Sequence, residues 1–517
     1  MQKRPILPLL IFIALLLNFS VGYAQVDLKK LDKYIEKAQK EWGLPGMAVA
    51  IVKDGEIVMA KGYGVLKSDA PEDAADENSL FAIASNTKAF VATSLGILVE
   101  EGKLNWDDPV KKYLPDFELY NDYVTNHTTI RDLLSHRAGL GTFSGDLTWY
   151  KTNYSAEEVV KKVKYVPQAY DFRSGYGYSN MMFLVAGEVI KKVSGKSWAA
   201  FAKERIFEPL GMERTVTSVN DLLKTTNIAA PHKPKEGKEE PIEWTNWDNM
   251  GAAGGIISSV NDMSKWMMMH LNEGKVGTKT IVPEEVYGNM WRIHNPQNVS
   301  KQASEMFGNR HFRGYGLGWD LYDYEGKMVV THSGGYDGMY SRLGMLPDEK
   351  LGVVVLTNAM QGIGTYLMYS IFDEYLEVED GTDWAKLGLK YHKDNAEYKK
   401  GRVQQRIDSR VEGTKSSFAN ETYVGTYEAD MWGEVNVIEK GEELYLSFGD
   451  APALNATLSH WHYDVFKLEW DNLHAWFDFG TAHFVMDNNG RITKIIFDVP
   501  NDDFDFSEVT LTRKQSK

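Results

Sequence analysis

The 517 residues read as an α+β protein: an antiparallel sheet wrapped by helices, followed by a small all-β, barrel-like domain. Three observations predict this. Strand-like runs fall in two clusters, near residues 46–63 and 328–357, with mostly helical patterning between them, so an early hairpin and three late strands can share one sheet. Beyond Tyr423 the texture changes to short strands at close spacing, separated by Gly, Asn and Asp turns. Between the strand clusters, an apolar helical stripe follows Ser85-Asn86-Thr87-Lys88, and the patterning up to the late strands is mostly helical.

The first 24 residues combine Lys3 and Arg4, an apolar run over 6–17 and Gly22-Tyr23-Ala24, the pattern of a secretory signal cleaved after Ala24. Residues 28–42 form an amphipathic helix ending at Gly43-Leu44-Pro45. Residues 46–53 and 56–63 make a hairpin about Asp54-Gly55. Ser85 then caps a helix whose stripe is Ala89, Phe90, Ala92, Leu95 and Leu98. Short helical pieces broken by Pro109 and Pro115 lead to helices over 155–164, 181–193 and 198–207, the last stopped by Pro209 and Gly211. After a flexible turn at 251–259, Asn261 or Asp262 caps a Met-rich helix to Leu271, its methionines serving as core. Strands over 328–333, 339–346 and 351–357 complete the sheet.

Residues 380–418 are charged and helix-prone with acids among the bases, which reads as a linker rather than a binding patch. Strands are expected at 423–427, 435–438, 444–448, 474–479, 483–486 and 492–497, with Trp461, Trp470 and Trp476 in the barrel core. The organisation is therefore a signal over 1–24, a main domain over 25–378, a helical linker over 379–418 and a β domain over 419–517.

Composition narrows the function. No cysteine is present, which excludes disulfides, a thiol nucleophile and thiolate metal sites, and suits a bacterial periplasm or the cell exterior. The formal charge of −15 argues against a nucleic-acid partner, which needs a basic face. No later stretch has the length of a membrane span, so no stable membrane insertion is expected after signal cleavage.

The chemistry lies in three short motifs. In Ser85-x-x-Lys88 three residues make nearly one helical turn, so the lysine amine can stand beside the hydroxyl and, if desolvated, help take its proton. In Tyr178-Ser179-Asn180 a phenol could shuttle that proton while Asn180 holds a substrate carbonyl; Tyr287-Gly-Asn289 is a decoy of the same form. His332-Ser333-Gly334-Gly335 closes a strand with two glycines, admitting close backbone approach, and His332 could hold a charge or donate a hydrogen bond.

Together and in this order the motifs resemble the serine β-lactamase and penicillin-binding-protein superfamily, in its branch of class C β-lactamases, D-alanyl carboxypeptidases, D-aminopeptidases and related esterases. The signature is Ser-x-x-Lys, Tyr-x-Asn and Lys/His-Ser/Thr-Gly. Leu134-Ser-His-Arg-Ala-Gly-Leu140 and Ala253-Gly-Gly255 also resemble family segments, and the likeness spans about residues 28–378. It implies the β-lactamase/transpeptidase-like fold with a helical subdomain, and no cofactor or metal. It further implies Ser85 as nucleophile, Lys88 as its activating amine, Tyr178 as general base and acid, and Asn180, His332, Ser333 and Gly334 as substrate-binding residues. The backbone N–H groups of Ser85 and Gly335 would form the oxyanion hole. Histidine replaces the lysine that β-lactamases commonly have at 332, which shifts weight from β-lactams towards peptidase or esterase work on small amides and esters. The β domain is similar to the lipocalin-like module behind many such hydrolases, where it shapes access to the cleft or mediates homo-oligomer assembly. Three further readings stay open: a β-lactamase, a penicillin-binding sensor without turnover, and ligand carriage by the β domain.

Overall fold

The computed structural model describes residues 26–515, so the signal expected over 1–24 lies outside the described residues. Its centre is a nine-stranded antiparallel sheet. From edge to edge it runs Asn295–Gln297, Arg313–Tyr315, Asp320–Tyr324, Lys327–Tyr336, Met339–Leu346, Leu351–Thr357, Gly46–Lys53, Glu56–Lys67 and Ala70–Ala74. The early hairpin thus docks beside the last strand, with Val49 opposite Val355.

Strand 46–53 is central and reads as continuous hydrophobic sequence because both of its faces are covered. Met47, Val49 and Ile51 point into a core formed with Leu31, Ile35 and Trp42 of helix Leu28–Trp42 and with helix Ile363–Leu376. Ala48, Ala50 and Val52 point the other way, into the larger core that holds helices Thr87–Glu100 and Val260–Leu271. A helix such as Thr87–Glu100, buried on all sides, is apolar around its whole circumference.

Residues 425–513 close into an eight-stranded up-and-down barrel whose strands neighbour one another in chain order. Its interior is packed with side chains, among them Tyr423, Tyr427, Leu446, Phe448, Phe484 and Leu511. Filled this way, it is a core and not a carrier of ligands. The helix before it, Trp384–Asp408, begins on the main domain, where Trp42 Nε1–H donates to Ala385 O at 3.0 Å. It ends on the barrel, where Arg406 pairs with Asp498 at 2.8 Å and Lys399 with Asp502 at 2.8 Å.

Three local expectations are corrected. The Met-rich helix is capped by Ser259, whose hydroxyl accepts from Asp262 N–H at 3.2 Å; Asp262 is the third helical residue and is occupied by Arg214 and Thr215. Ser85 does not cap its helix but lies in a tight turn, Ala84–Asn86, before it. Residues 474–479 form no strand; the barrel instead uses Ala456–His462 and Val465–Trp470. The aromatic residues at 474–479 resemble a strand because they are buried, but part of what buries them is the main domain: Phe477 packs against Tyr150 at 6.1 Å between ring centroids.

Candidate active site

The site forms where the turn before helix Thr87–Glu100 meets the strand that carries His332. Ala84 occupies the left-handed region at φ 45°, a conformation that costs about 1 kcal/mol for a residue with a Cβ and that swings Ser85 out of the helical path. Gly334 is required here by sterics: a Cβ on it would stand 2.2 Å from Ile83 O and 2.9 Å from Ser85 N. The close approach anticipated for this glycine is therefore made to the backbone of Ser85. Pairing of strand 327–336 with 320–324 ends at Thr331, which leaves His332 and the residues after it bordering the cleft.

Lys88, one turn beyond Ser85, is fully buried. Its Nζ lies 3.0 Å from Ser85 Oγ, 2.7 Å from Asn180 Oδ1 and 2.8 Å from Ala253 O. Burial among neutral dipoles pulls its pKa down from 10.5 to about 7, with the charge of Asp146 resisting the fall. Asn180 opens helix Asn180–Ser194, is held by the Ser179 cap, and bridges outward: its Nδ2–H donates to Asp146 Oδ2 at 2.6 Å. Desolvation raises the Asp146 carboxyl to about 7.

Tyr178 precedes that cap. Its phenol bonds to Ser85, and the Lys88 amine lies 4.7 Å from its ring centroid. Burial drives its pKa well above 10, so at neutral pH the phenol keeps its proton. The ring is fixed by Phe143 and by His136, whose centroids are 5.5 and 4.3 Å away, and the His136 Nδ1 accepts from Ser179 N–H at 3.0 Å.

His332 is buried and neutral. Its ring nitrogens contact Tyr315 Oη at 2.8 Å and Ser333 O at 2.6 Å, and burial lowers its pKa to about 3. With the imidazole pinned between those two oxygens, Nδ1–H donates to the carbonyl and Nε2 accepts from the phenol.

The structure therefore brings Ser85, Lys88, Tyr178, Asn180, His332, Ser333, Gly334 and Gly335 into one place. Ser85, Tyr178, Asn180, His332, Ser333 and Gly335 line a cleft of about 300 Å³. The decoy is elsewhere: Tyr287 lies in helix Glu284–Met290 with its hydroxyl on His270. Sequence reasoning missed Asp146, whose only signal is a position after Gly145 in a loop, and it missed the barrel's share of the cleft. Trp476, expected in the barrel core, lines the cleft instead, because its loop leaves the barrel and packs on the main domain; Asp503 and Phe504 join it there. Glu508, also from the barrel, bonds to Ser144 Oγ and accepts from Gly145 N–H at 2.8 Å, gripping the loop that carries Asp146.

Comparison with known proteins agrees with this layout. Residues 31–371 match the family model described as Beta-lactamase, and residues 409–513 match a domain of unknown function, DUF3471. The chain is 30% identical over 387 residues to the unguisins hydrolase ungD' of Aspergillus campestris, a match covering 70% of this chain and 67% of that protein. It is 27% identical over 333 residues to protein flp of Staphylococcus aureus strain N315, covering 64% and 63%. The chain thus spans about two thirds of the length of these relatives. Among solved structures, the octameric penicillin-binding protein homologue from Pyrococcus abyssi is similar in fold, with a TM-score of 0.60, 24% identity and coverage of 94% and 100%.

Proposed function

The chain belongs to the beta-lactamase family of serine hydrolases, and from that premise we propose an exported enzyme that forms an acyl-enzyme on Ser85 and cleaves small amides or esters, of the D-amino-acid peptidase or esterase type. The observation that carries this reading is the Lys88 amine: buried, 3.0 Å from the Ser85 hydroxyl, and neutral in about half of the molecules at pH 7.

In the proposed cycle, neutral Lys88 takes the Ser85 proton as Oγ attacks the substrate carbonyl. The N–H groups of Ser85 and Gly335 receive the developing oxyanion. Tyr178, which keeps its proton, gives it to the leaving nitrogen or oxygen as the carbonyl–leaving-group bond breaks, and the Lys88 ammonium restores it. Water then hydrolyses the acyl-enzyme. Burial thus splits the two roles assigned to Tyr178: the acid half stays with the phenol and the base half passes to Lys88.

His332 supports the choice of substrate. A neutral imidazole with both nitrogens engaged offers no cation to a substrate carboxylate, so β-lactams are poor substrates in this reading. The octameric fold neighbour supports a homo-oligomer. No helix among the described residues is long and apolar enough to cross a membrane.

The test is Ser85→Ala. Wild type should hydrolyse p-nitrophenyl esters and take up a fluorophosphonate probe with the corresponding mass gain, while the variant does neither. Equal labelling or turnover by the two proteins would sink the proposal.

A further inference from the structure

The barrel does more than close the cleft, and its contribution has a chemical character. Trp476 lies against the Gly335 end of the catalytic strand, with a ring carbon 3.2 Å from where a Gly335 Cβ would stand. Phe504 meets Trp476 edge-on at 6.3 Å between centroids. Asp503 lies beside Phe504, close enough for its charge to act on the Tyr340 phenol across the cleft.

The loop holding Asp503 is built rigidly by Asn501. The Asn501 Oδ1 accepts from Asp503 N–H at 3.0 Å and from Phe504 N–H at 2.6 Å, and its Nδ2–H donates to Phe504 O at 2.9 Å. Those bonds fix the backbone, yet among the described residues no hydrogen bond or ion pair engages the Asp503 carboxylate itself. Lys399, the cation that acts on it, is committed to Asp502 at 2.8 Å. A carboxylate that is mostly buried, fixed in place and left without a partner calls for a cationic donor.

The rest of the lining points the same way. It contains no Lys or Arg among the described residues. Of its two other carboxyls, Asp146 is bonded to Asn180, and Asp320 lies buried within the field of Arg310, Arg313 and Arg342. Asp503 is therefore the free anion of the cleft. The aromatic rings around it suit an ammonium by their negative faces and repel a carboxylate.

We propose that Asp503, framed by Trp476 and Phe504, is the anchor for a free ammonium group on the acyl part of the substrate, so that the preferred substrates are small aminoacyl amides or esters with an unblocked amine. This rests on the Ser85 acyl-enzyme reading and adds to it a recognition element supplied by the barrel.

The test compares glycine p-nitrophenyl ester with its N-acetyl form, which differ in charge and not in stereochemistry, and counts only turnover above the Ser85→Ala background. Wild type should favour the free amine at least about tenfold in kcat/KM at pH 7, as one ion pair in a partly dry site allows. Asp503→Asn should bring the ratio within about twofold of unity, and Asp503→Glu should restore most of it. Because the ratio is taken within one protein, a loss of folded material cancels. A wild-type ratio at or below one, or a ratio unchanged by Asp503→Asn, would overturn the inference while leaving the hydrolase reading intact. Absence of Ser85-dependent turnover of both esters would instead remove the hydrolase reading, and this inference with it.

Discussion

Lys88 gives the site its most quantitative consequence. A lysine at 10.5 is neutral in roughly one molecule in 3,000 at pH 7, whereas one at about 7 is neutral in about half. Burial thus supplies roughly three orders of magnitude more base, equivalent to about 4–5 kcal/mol at 1.36 kcal/mol per pKa step. The sign follows from which form acts. The neutral amine accepts the Ser85 proton, so the acylation rate should rise about tenfold per pH unit below 6, bend near 7 and level off above 8. The Asp146 anion opposes the shift, so Asp146→Asn should move the bend to lower pH. The assay is the rate of fluorophosphonate labelling, or the burst phase of p-nitrophenyl acetate, from pH 5.5 to 9. A rate still climbing towards pH 10 would mean an ordinary solvated lysine. A bend that stays put or turns alkaline in Asp146→Asn would refute the electrostatic link through Asn180.

Two further outcomes are expected. Glu508→Ala removes two charge-assisted bonds, to Ser144 and to Gly145 N–H, each of a kind worth about 1.5–3 kcal/mol; kcat/KM for a small ester should fall about ten- to a hundredfold while circular dichroism shows the barrel intact, and unchanged kinetics would mean that the Asp146 loop holds its place unaided. His332 titrates near 6.5 when unfolded and only near 3 when folded, so the stability it contributes is fully present above 6.5 and is lost as pH falls towards 3. Urea unfolding at pH 7 and pH 4.5 should show His332→Gln losing about 2–3 kcal/mol less than the parent over that interval, and identical losses would mean that the ring is solvated.

What the sequence made legible follows from the range of the forces involved. The hairpin at 46–63, the helix at 28–42 and the strands at 339–346 and 351–357 were readable because local turn chemistry and the continuous apolar run of strand 46–53 agree with their burial. Ser85 and Lys88 were readable because one helical turn joins them. Tyr178, Asn180 and His332 came from a resemblance, since nothing local in Tyr-x-Asn separates the residues at 178–180 from those at 287–289. Trp476, Asp503 and Glu508 escaped because their roles depend on how the barrel docks on the main domain, and Asp146 because its partners Asn180 and Lys88 are distant in sequence. The strand texture at 474–479 misled for the same reason: burial makes a segment apolar whether its neighbour is its own barrel or another domain.

The docking of the barrel on the cleft also sets an order in time. Ser85, Lys88, Tyr178 and Asn180 belong to a core that is complete once strand 351–357 has paired with strand 46–53. Trp476, Asp503 and Glu508 arrive more than a hundred residues later, after the helix 384–408 has been laid down. As the chain emerges N-terminus first, the main domain can therefore fold with these four residues assembled and one side of the cleft still open. In the proposed cycle the capacity to acylate then comes before the capacity to choose, and the barrel is the step at which a general acylating serine would become a selective one.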